Sequence, residues 1–362
     1  MSFRHEQFHL VDWLDSNLSG TRYNLASSGM EAPSLEEFEI ETNPDLLSGL
    51  RGQRLEDSLG QAYGVHSSEV LVCAGGTLAI YLAIASLVKA GDQVLIPMPN
   101  YPPEYNVPRI LGAKLEEVKI RYESGFRLDV DSFIRAISKN TRMVVLTNSN
   151  NPTGLKITRG ELEKIAEAAE RSRALVFVDE TFREFAEDPA PVARSLGDHV
   201  ISAGSMTKFF GLGDPKIGWL FAGKQVMEKI RSLNQWVSVE ESRLSYMIGI
   251  QAMEKKKLLD LRTHRLTREN LALGREFMKG NSEFLEWIEP DGAPFGFPKI
   301  KLPLTSRDFC SKLVEKYSIL VSPGDLFEYP GHFRLCLTRL PEKTRAGLSA
   351  FSSALSEISV AS

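Results

Sequence analysis

Apolar residues along this chain gather into short β-branched runs separated by stretches with a helical period. Residues 71–73 (Leu-Val-Cys) form one run, and a helical pattern follows from Thr77 to Lys89. Gln93–Pro97, a helix signal near Tyr105–Leu111, and Lys114–Val118 come next. Arg142–Thr147 is apolar and β-branched, which reads as a buried strand. Thr158 with Glu161 three residues on forms a capping box, so a helix is expected from there to about Arg171. Ala174–Asp179, His199–Gly204 and Ile217–Phe221 complete the series. Repeated alternation of this kind predicts an α/β fold, a mostly parallel central sheet covered by helices.

Beyond Gly223 the pattern is mainly helical to about Met278. Short strands are then expected at residues 299–302 and 333–337 between helices, an α+β signature. This assigns residues 45–252 to a large domain, and residues 1–44 with 253–362 to a smaller one. The helix expected before Gly20 has no strand company and should pack on the smaller domain. Repeats, low-complexity tracts and Pro/Gly linkers are missing, so the domains should be closely joined.

Composition narrows the function classes. The 362 residues include 43 basic and 47 acidic side chains, a net charge of −4 with both signs spread along the chain. There is no basic block to follow a nucleic-acid backbone or an anionic membrane. The first residues lack the apolar stretch of a signal peptide, and no run reaches the ~18 apolar residues of a membrane span. Cys73, Cys310 and Cys336 are odd in number and far apart, and the six histidines lack metal-ligand spacing. Reduced thiols, no metal site and a cytoplasmic enzyme are the expectation.

Four features fall where strands of a parallel sheet end, the position at which such sheets bind ligands. Gly75 and Gly76 lead a strand into a helix at Thr77, so free backbone N–H groups and a hydroxyl could hold a phosphate there. Alone, this is equally a bare turn. Asn151 lies in Asn-Asn-Pro-Thr-Gly after the Arg142–Thr147 strand, either as a loop cap or as an amide facing a ligand. Asp179 ends a buried strand, where a carboxylate needs a partner; a pyridinium N–H or a helix N-terminus would serve. Lys208 lies in Ser-Met-Thr-Lys-Phe-Phe-Gly, among apolar and small residues that would desolvate its ammonium and favour the nucleophilic amine.

In this order, the Asn-Pro-Thr-Gly and Ser-Met-Thr-Lys motifs resemble the class I/II aminotransferases, the fold-type-I enzymes that use pyridoxal 5′-phosphate. The similarity runs from about Ser28–Gly29 to Arg334. It implies that Lys208 carries the cofactor as a Schiff base and later shuttles the substrate Cα proton. It also implies that Asp179 meets the ring nitrogen and Asn151 the phenolic oxygen. Gly75, Gly76, Thr77 and Ser205 would hold the phosphate, and Tyr101 would stack on the ring. Arg334 and Gly29 would bind the substrate α-carboxylate. An amino acid and a 2-oxo acid are the implied substrates, and a homodimer with shared active sites the implied assembly.

Three positions depart from the family. Phe182 stands where a tyrosine usually donates to the phenolic oxygen. Lys216 stands where an arginine usually meets the phosphate, keeping the charge but losing the planar fork. No tyrosine is found near Leu47–Gly52 to reach a neighbouring subunit. Glu240, Glu241 and Arg243 lie where relatives place residues that reach the partner's pocket, or else form a solvated helix end. The resemblance therefore leaves open transamination or another reaction on the same scaffold, such as β-elimination, carbon–sulfur lysis or cyclisation. A non-catalytic sensor joined to a DNA-binding module is disfavoured by the lack of basic sequence.

Overall fold

The computed structural model of the chain describes residues 7–38 and 54–360. The stretch near Leu47–Gly52 lies outside them. From the N-terminus come α1 (His9–Leu18), β1 (Tyr23–Asn24), α2 (Leu35–Phe38) and α3 (Leu55–Tyr63). The central part then alternates β2 (Val70–Cys73), α4 (Gly76–Ala85), β3 (Gln93–Met98), α5 (Pro102–Ile110) and β4 (Lys114–Lys119). It continues with α6 (Val130–Ala136), β5 (Thr141–Thr147), α7 (Arg159–Arg171), β6 (Leu175–Asp179), β7 (Val200–Ser205) and β8 (Gly218–Phe221).

These strands form one seven-stranded sheet in the order β2-β8-β7-β6-β5-β3-β4. Pairing is parallel from β7 to β4, and β8 runs antiparallel to both its neighbours. Alternate side chains serve opposite faces, as a pleated strand requires. Met143 and Val145 of β5 join a core with Ile80 and Ala83 of α4. Val144 and Leu146 join another with Leu162 and Ile165 of α7. The expected α/β sheet is present, with a helical layer on each face.

Element boundaries moved for local reasons. The Thr77–Lys89 pattern stops as a helix at Ala85, where the Ser86 N–H closes back on Leu82 and Ile84. Leu87 and Val88 stay buried in the turn that follows, so apolar spacing outlasts the helix. Helix α5 starts earlier than the signal near Tyr105, because Pro102 and Pro103 occupy its first two positions, where an N–H has no helical partner anyway. The Thr158–Glu161 capping box forms as expected.

Helices α8 (Lys224–Val237), α9 (Arg243–Glu254) and α10 (Lys256–Gly280) follow the sheet. Short strands β9 (Leu285–Glu286), β10 (Phe295–Gly296), β11 (Lys299–Ile300), β12 (Ile319–Leu320), β13 (Ser322–Pro323) and β14 (Phe333–Cys336) alternate with α11 (Ser306–Tyr317), and α12 (Pro341–Val360) closes the chain. The run at 299–302 thus pairs for only two residues, against β9, with Lys299 also bridging to His332. Helix α1 packs its Leu10 and Trp13 into the core of this C-terminal part, and the Trp13 indole donates to the Val321 carbonyl at 2.9 Å. Strand β1 pairs with β12 beside it. Helix α10 serves two cores: Leu259 and Leu266 pack with Phe209 and Trp219, while Phe277 and Met278 pack with Phe309 and Phe351. Among the described residues, no helix is long and apolar enough to cross a membrane, and no cluster could hold a metal ion.

Candidate active site

The carboxyl ends of β2, β3, β5, β6 and β7 converge on one site. Asp179 ends β6 and is 4% exposed. It accepts the Thr181 N–H at 2.9 Å. Burial raises its pKa, and hydrogen bonds from Thr181 and Glu104 with the charge of Lys208 pull it back.

Lys208 lies in the loop after β7. Its carbonyl accepts the Met30 N–H at 3.0 Å, which ties the N-terminal segment to this loop. Gly29 makes the contact possible, since a Cβ there would sit 2.6 Å from the Thr207 carbonyl oxygen. The lysine is half-buried, and its neighbours crowd it enough to lower its pKa to about 8. Burial is the first cause, followed by the positive charge of Arg334; Cys336 and Asp179 offset part of this, and Lys216 adds to it. Roughly a tenth of the amine is then free at pH 7, against almost none for an ordinary lysine.

This shift has a consequence for stability. The unfolded chain binds the Lys208 proton more tightly than the folded one between pH 8 and the ordinary lysine value, so apo-protein stability should rise with pH through that window. Lys208→Met should therefore stabilise the apo protein near pH 7 by about 1–3 kcal/mol, and the gap should close towards pH 10. Denaturant unfolding of both proteins across this range checks it.

Arg334 projects from β14 and is 2% exposed. One terminal nitrogen donates to Asn151 Oδ1 and the other to the Ala26 carbonyl, each at 2.9 Å. Its guanidinium lies over the rings of Phe327 and Phe295, and its Nε is buried with no hydrogen-bond partner. Among the described residues no carboxylate pairs with it. Asn151 is thereby oriented, its oxygen committed to Arg334 and its amide nitrogen left to donate elsewhere. The preceding Asn150 holds the turn, accepting from Thr153 Oγ1 at 2.7 Å and donating to the Pro99 carbonyl at 3.1 Å.

At the start of α4, Gly75 adopts φ +87° as the N-cap, a conformation that favours glycine. The first-turn N–H groups of α4 point out of the helix unpaired, a ready anion site. A Cβ on Gly76 would meet Thr181 Oγ1 at 3.3 Å and Ser205 Cβ at 3.4 Å, so glycine keeps this hollow open. Ser205 Oγ lines it, bonded to Thr207 Oγ1 at 3.0 Å and the Ile217 carbonyl at 2.9 Å. Tyr101 reaches over from the N-cap of α5, its hydroxyl 3.5 Å from Thr77 Oγ1.

A buried strand-end carboxylate, a lysine of lowered pKa, a helix-start anion cradle and an unpaired buried arginine therefore share one site. The family model for "Aminotransferase class I and II" matches residues 52–351. The chain belongs to this family. An aspartate aminotransferase of Pyrococcus horikoshii is 28% identical over 305 residues, covering 81% of this chain and 77% of that protein. A capreomycidine synthase of Streptomyces vinaceus is 25% identical over 364 residues, covering 96% and 93%. The crystal structure of a PLP-dependent aminotransferase from Streptococcus suis superposes with a TM-score of 0.91 at 27% identity, over 99% of both chains. This chain is thus a PLP-dependent transferase of the aminotransferase fold, with pyridoxal phosphate as its cofactor.

The residues present fit that group. The open hollow at Gly76 with its hydroxyls suits a phosphate, and the buried Asp179 suits a ring N–H. In this member of the family, eight of the sequence-derived site residues are brought together around Lys208: Gly29, Gly76, Thr77, Tyr101, Asn151, Asp179, Ser205 and Arg334. Gly75 shapes the turn. Lys216 is exposed in a left-handed turn at φ +53°, and only its charge reaches Lys208. Phe182 is buried edge-on to Phe295 at 4.8 Å between ring centroids, within an aromatic cluster.

Sequence reading missed three neighbours. Thr207 was legible as the hydroxyl beside Lys208. Arg339 donates to the Gly29 carbonyl, and no sequence signal marked it. Glu104 sits one helical turn from Tyr101 and could have been found by that spacing. Glu240, Glu241 and Arg243 line a separate cavity of about 470 Å³ with Arg54, Arg231 and Tyr246. Lys208 is not among its walls, but the charge of Glu241 is felt at Cys73, beside the start of α4.

Proposed function

We propose that this enzyme moves an amino group between an L-amino acid and a 2-oxo acid, with Arg334 as the α-carboxylate anchor. Arg334 carries the reading. Among the described residues it is a buried cation whose hydrogen bonds go only to neutral acceptors, and a buried charge left without a counter-ion is strongly unfavourable. Amino acids and 2-oxo acids both bring a carboxylate that matches its planar fork. Gly29 adds backbone to the same anchor.

Bound pyridoxal phosphate supplies an electron sink for the bonds at the substrate Cα. The protein's part is to hold and to move protons. Lys208 Nζ would be the amine that holds the cofactor and the base that takes and returns the Cα proton, a task suited to a lysine whose amine is partly free at neutral pH. Asp179 would accept the ring N–H, the amide of Asn151 would donate to the ring oxygen, and Tyr101 would cover the ring. Gly75, Gly76, Thr77 and Ser205 would hold the phosphate, with Lys216 adding charge. Phe182 offers no donor to the ring oxygen, which leaves that role to the Asn151 amide among these residues.

A second reading is favoured by the capreomycidine synthase relative, which matches nearly the whole chain. It is a cyclisation or elimination on the same scaffold. The two separate on acceptor dependence. For a transaminase, purified enzyme given a panel of amino acids should turn over only with a 2-oxo acid present, releasing one new amino acid per 2-oxo acid formed. Multiple turnovers without an acceptor would move the assignment to the second reading.

We further propose a cytoplasmic homodimer with shared active sites. The free, buried cysteines suit a reducing compartment. Trp236 (88% exposed), Val237, Val239 and Leu244 form an exposed apolar surface where α8 meets α9, beside the cavity lined by Arg243. Such a patch marks an interface. Co-refolding Lys208→Ala with Arg243→Ala protein should recover activity that neither shows alone, as mixed dimers rebuild one intact site. A monomer fully active at nanomolar concentration would refute the shared site.

A further inference from the structure

Glu104 is fully buried in the first turn of α5, one turn beyond Tyr101. Its surroundings allow a count of protons. The Thr147 hydroxyl contacts Glu104 Oε2. It also lies 2.5 Å from Asn100 Oδ1, which accepts the Tyr101 N–H at 2.8 Å. The Thr147 hydroxyl thus has a single proton to offer to two acceptors, Glu104 Oε2 and Asn100 Oδ1. The Glu104 carboxyl is also in hydrogen-bond contact with that of Asp179, whose strand position pairs in register with Thr147. Glu104 Oε1 remains buried with no donor directed at it.

Two carboxyl groups in hydrogen-bond contact need one proton between them; without it they are like charges in a region of low dielectric. Asp179 has the better claim to the negative charge, with a backbone N–H at 2.9 Å and the positive charge of Lys208 nearby. Glu104 has the neutral side chains of Thr147 and Asn100. Burial first, then the charge of Asp179, push the Glu104 pKa well above the usual carboxylate range.

We propose that Glu104 is a positioning residue that stays protonated and donates through Oε1 to Asp179, keeping that carboxylate an anion of fixed orientation for the cofactor's ring N–H. The inference deepens the site reading above and rests on it for the role of Asp179. A carboxylate that already accepts an acid proton is a weaker base. Asp179 would thus accept a hydrogen bond from the ring N–H without removing its proton.

Glutamine provides the test, because its amide has the shape and the donor of a neutral glutamic acid but cannot ionise. Infrared difference spectra of the full-length protein, wild type minus Glu104→Gln, should show the C=O band of a buried protonated carboxylic acid. Equilibrium dialysis of pyridoxal phosphate should find Glu104→Gln within about threefold of wild type, and Glu104→Ala weaker by about tenfold or more, the effect of leaving Asp179 without a buried donor. Lack of an acid band overturns the proposal, as does glutamine binding as weakly as alanine, or alanine binding as well as wild type. The infrared signal is read with and without cofactor, so it can fail while the cofactor site itself stands.

Discussion

Lys208→Ala should leave a folded protein that binds pyridoxal phosphate but turns over more slowly by at least roughly 10²–10⁴-fold, the usual contribution of a positioned proton-transfer group. Folding should survive because the loop is held through its backbone, with the Lys208 carbonyl accepting the Met30 N–H. Cofactor affinity should persist in part, since the cradle of Gly76, Thr77 and Ser205 does not involve the amine. The measurements are steady-state kinetics of both proteins and borohydride reduction of the wild type followed by peptide mapping. The reduced cofactor is expected on the peptide that contains Lys208. Finding it on another lysine would remove the assignment, whatever the kinetics.

Arg334→Ala should lower kcat/KM by roughly 30- to 5,000-fold, because loss of one partner of a buried charge-assisted pair costs ~2–5 kcal/mol. Part of the effect would come through Asn151, which loses the donor that orients its amide. Arg334→Lys separates the two contributions, since it keeps the charge but loses the fork and the simultaneous reach to Asn151 and Ala26. The lysine variant should recover some affinity for the carboxylate, seen mainly in KM, while remaining well below wild type. Unchanged kinetics in the alanine variant would place the substrate anchor elsewhere.

Much of this molecule could be read without coordinates, and the reason is locality. The β-branched runs at 142–147 and 174–179 are buried on both faces, so their composition alone declares a parallel sheet covered by helices. Lys208, Asp179, Gly76 and Asn151 each lie at a strand end within a short motif, and strand ends of such a sheet meet at one edge. Helix ends were less legible. Burial of Leu87 and Val88 continues the apolar period past Ala85, where only the backbone hydrogen bonds reveal the turn.

What tertiary structure alone decided are relations between groups distant in the chain. The sequence offered Arg334 and Asn151 as separate candidates; the fold set one to orient the other across 183 positions. It made Gly29 a necessity, by docking the N-terminal segment against the Thr207 carbonyl. It also brought Glu104 against Asp179, two acids that nothing in the sequence connects. Whether a carboxyl group is charged depends on the donors and charges that surround it in three dimensions. The sequence by itself determined the sheet and the lysine, while the protonation of the groups around that lysine was decided by packing.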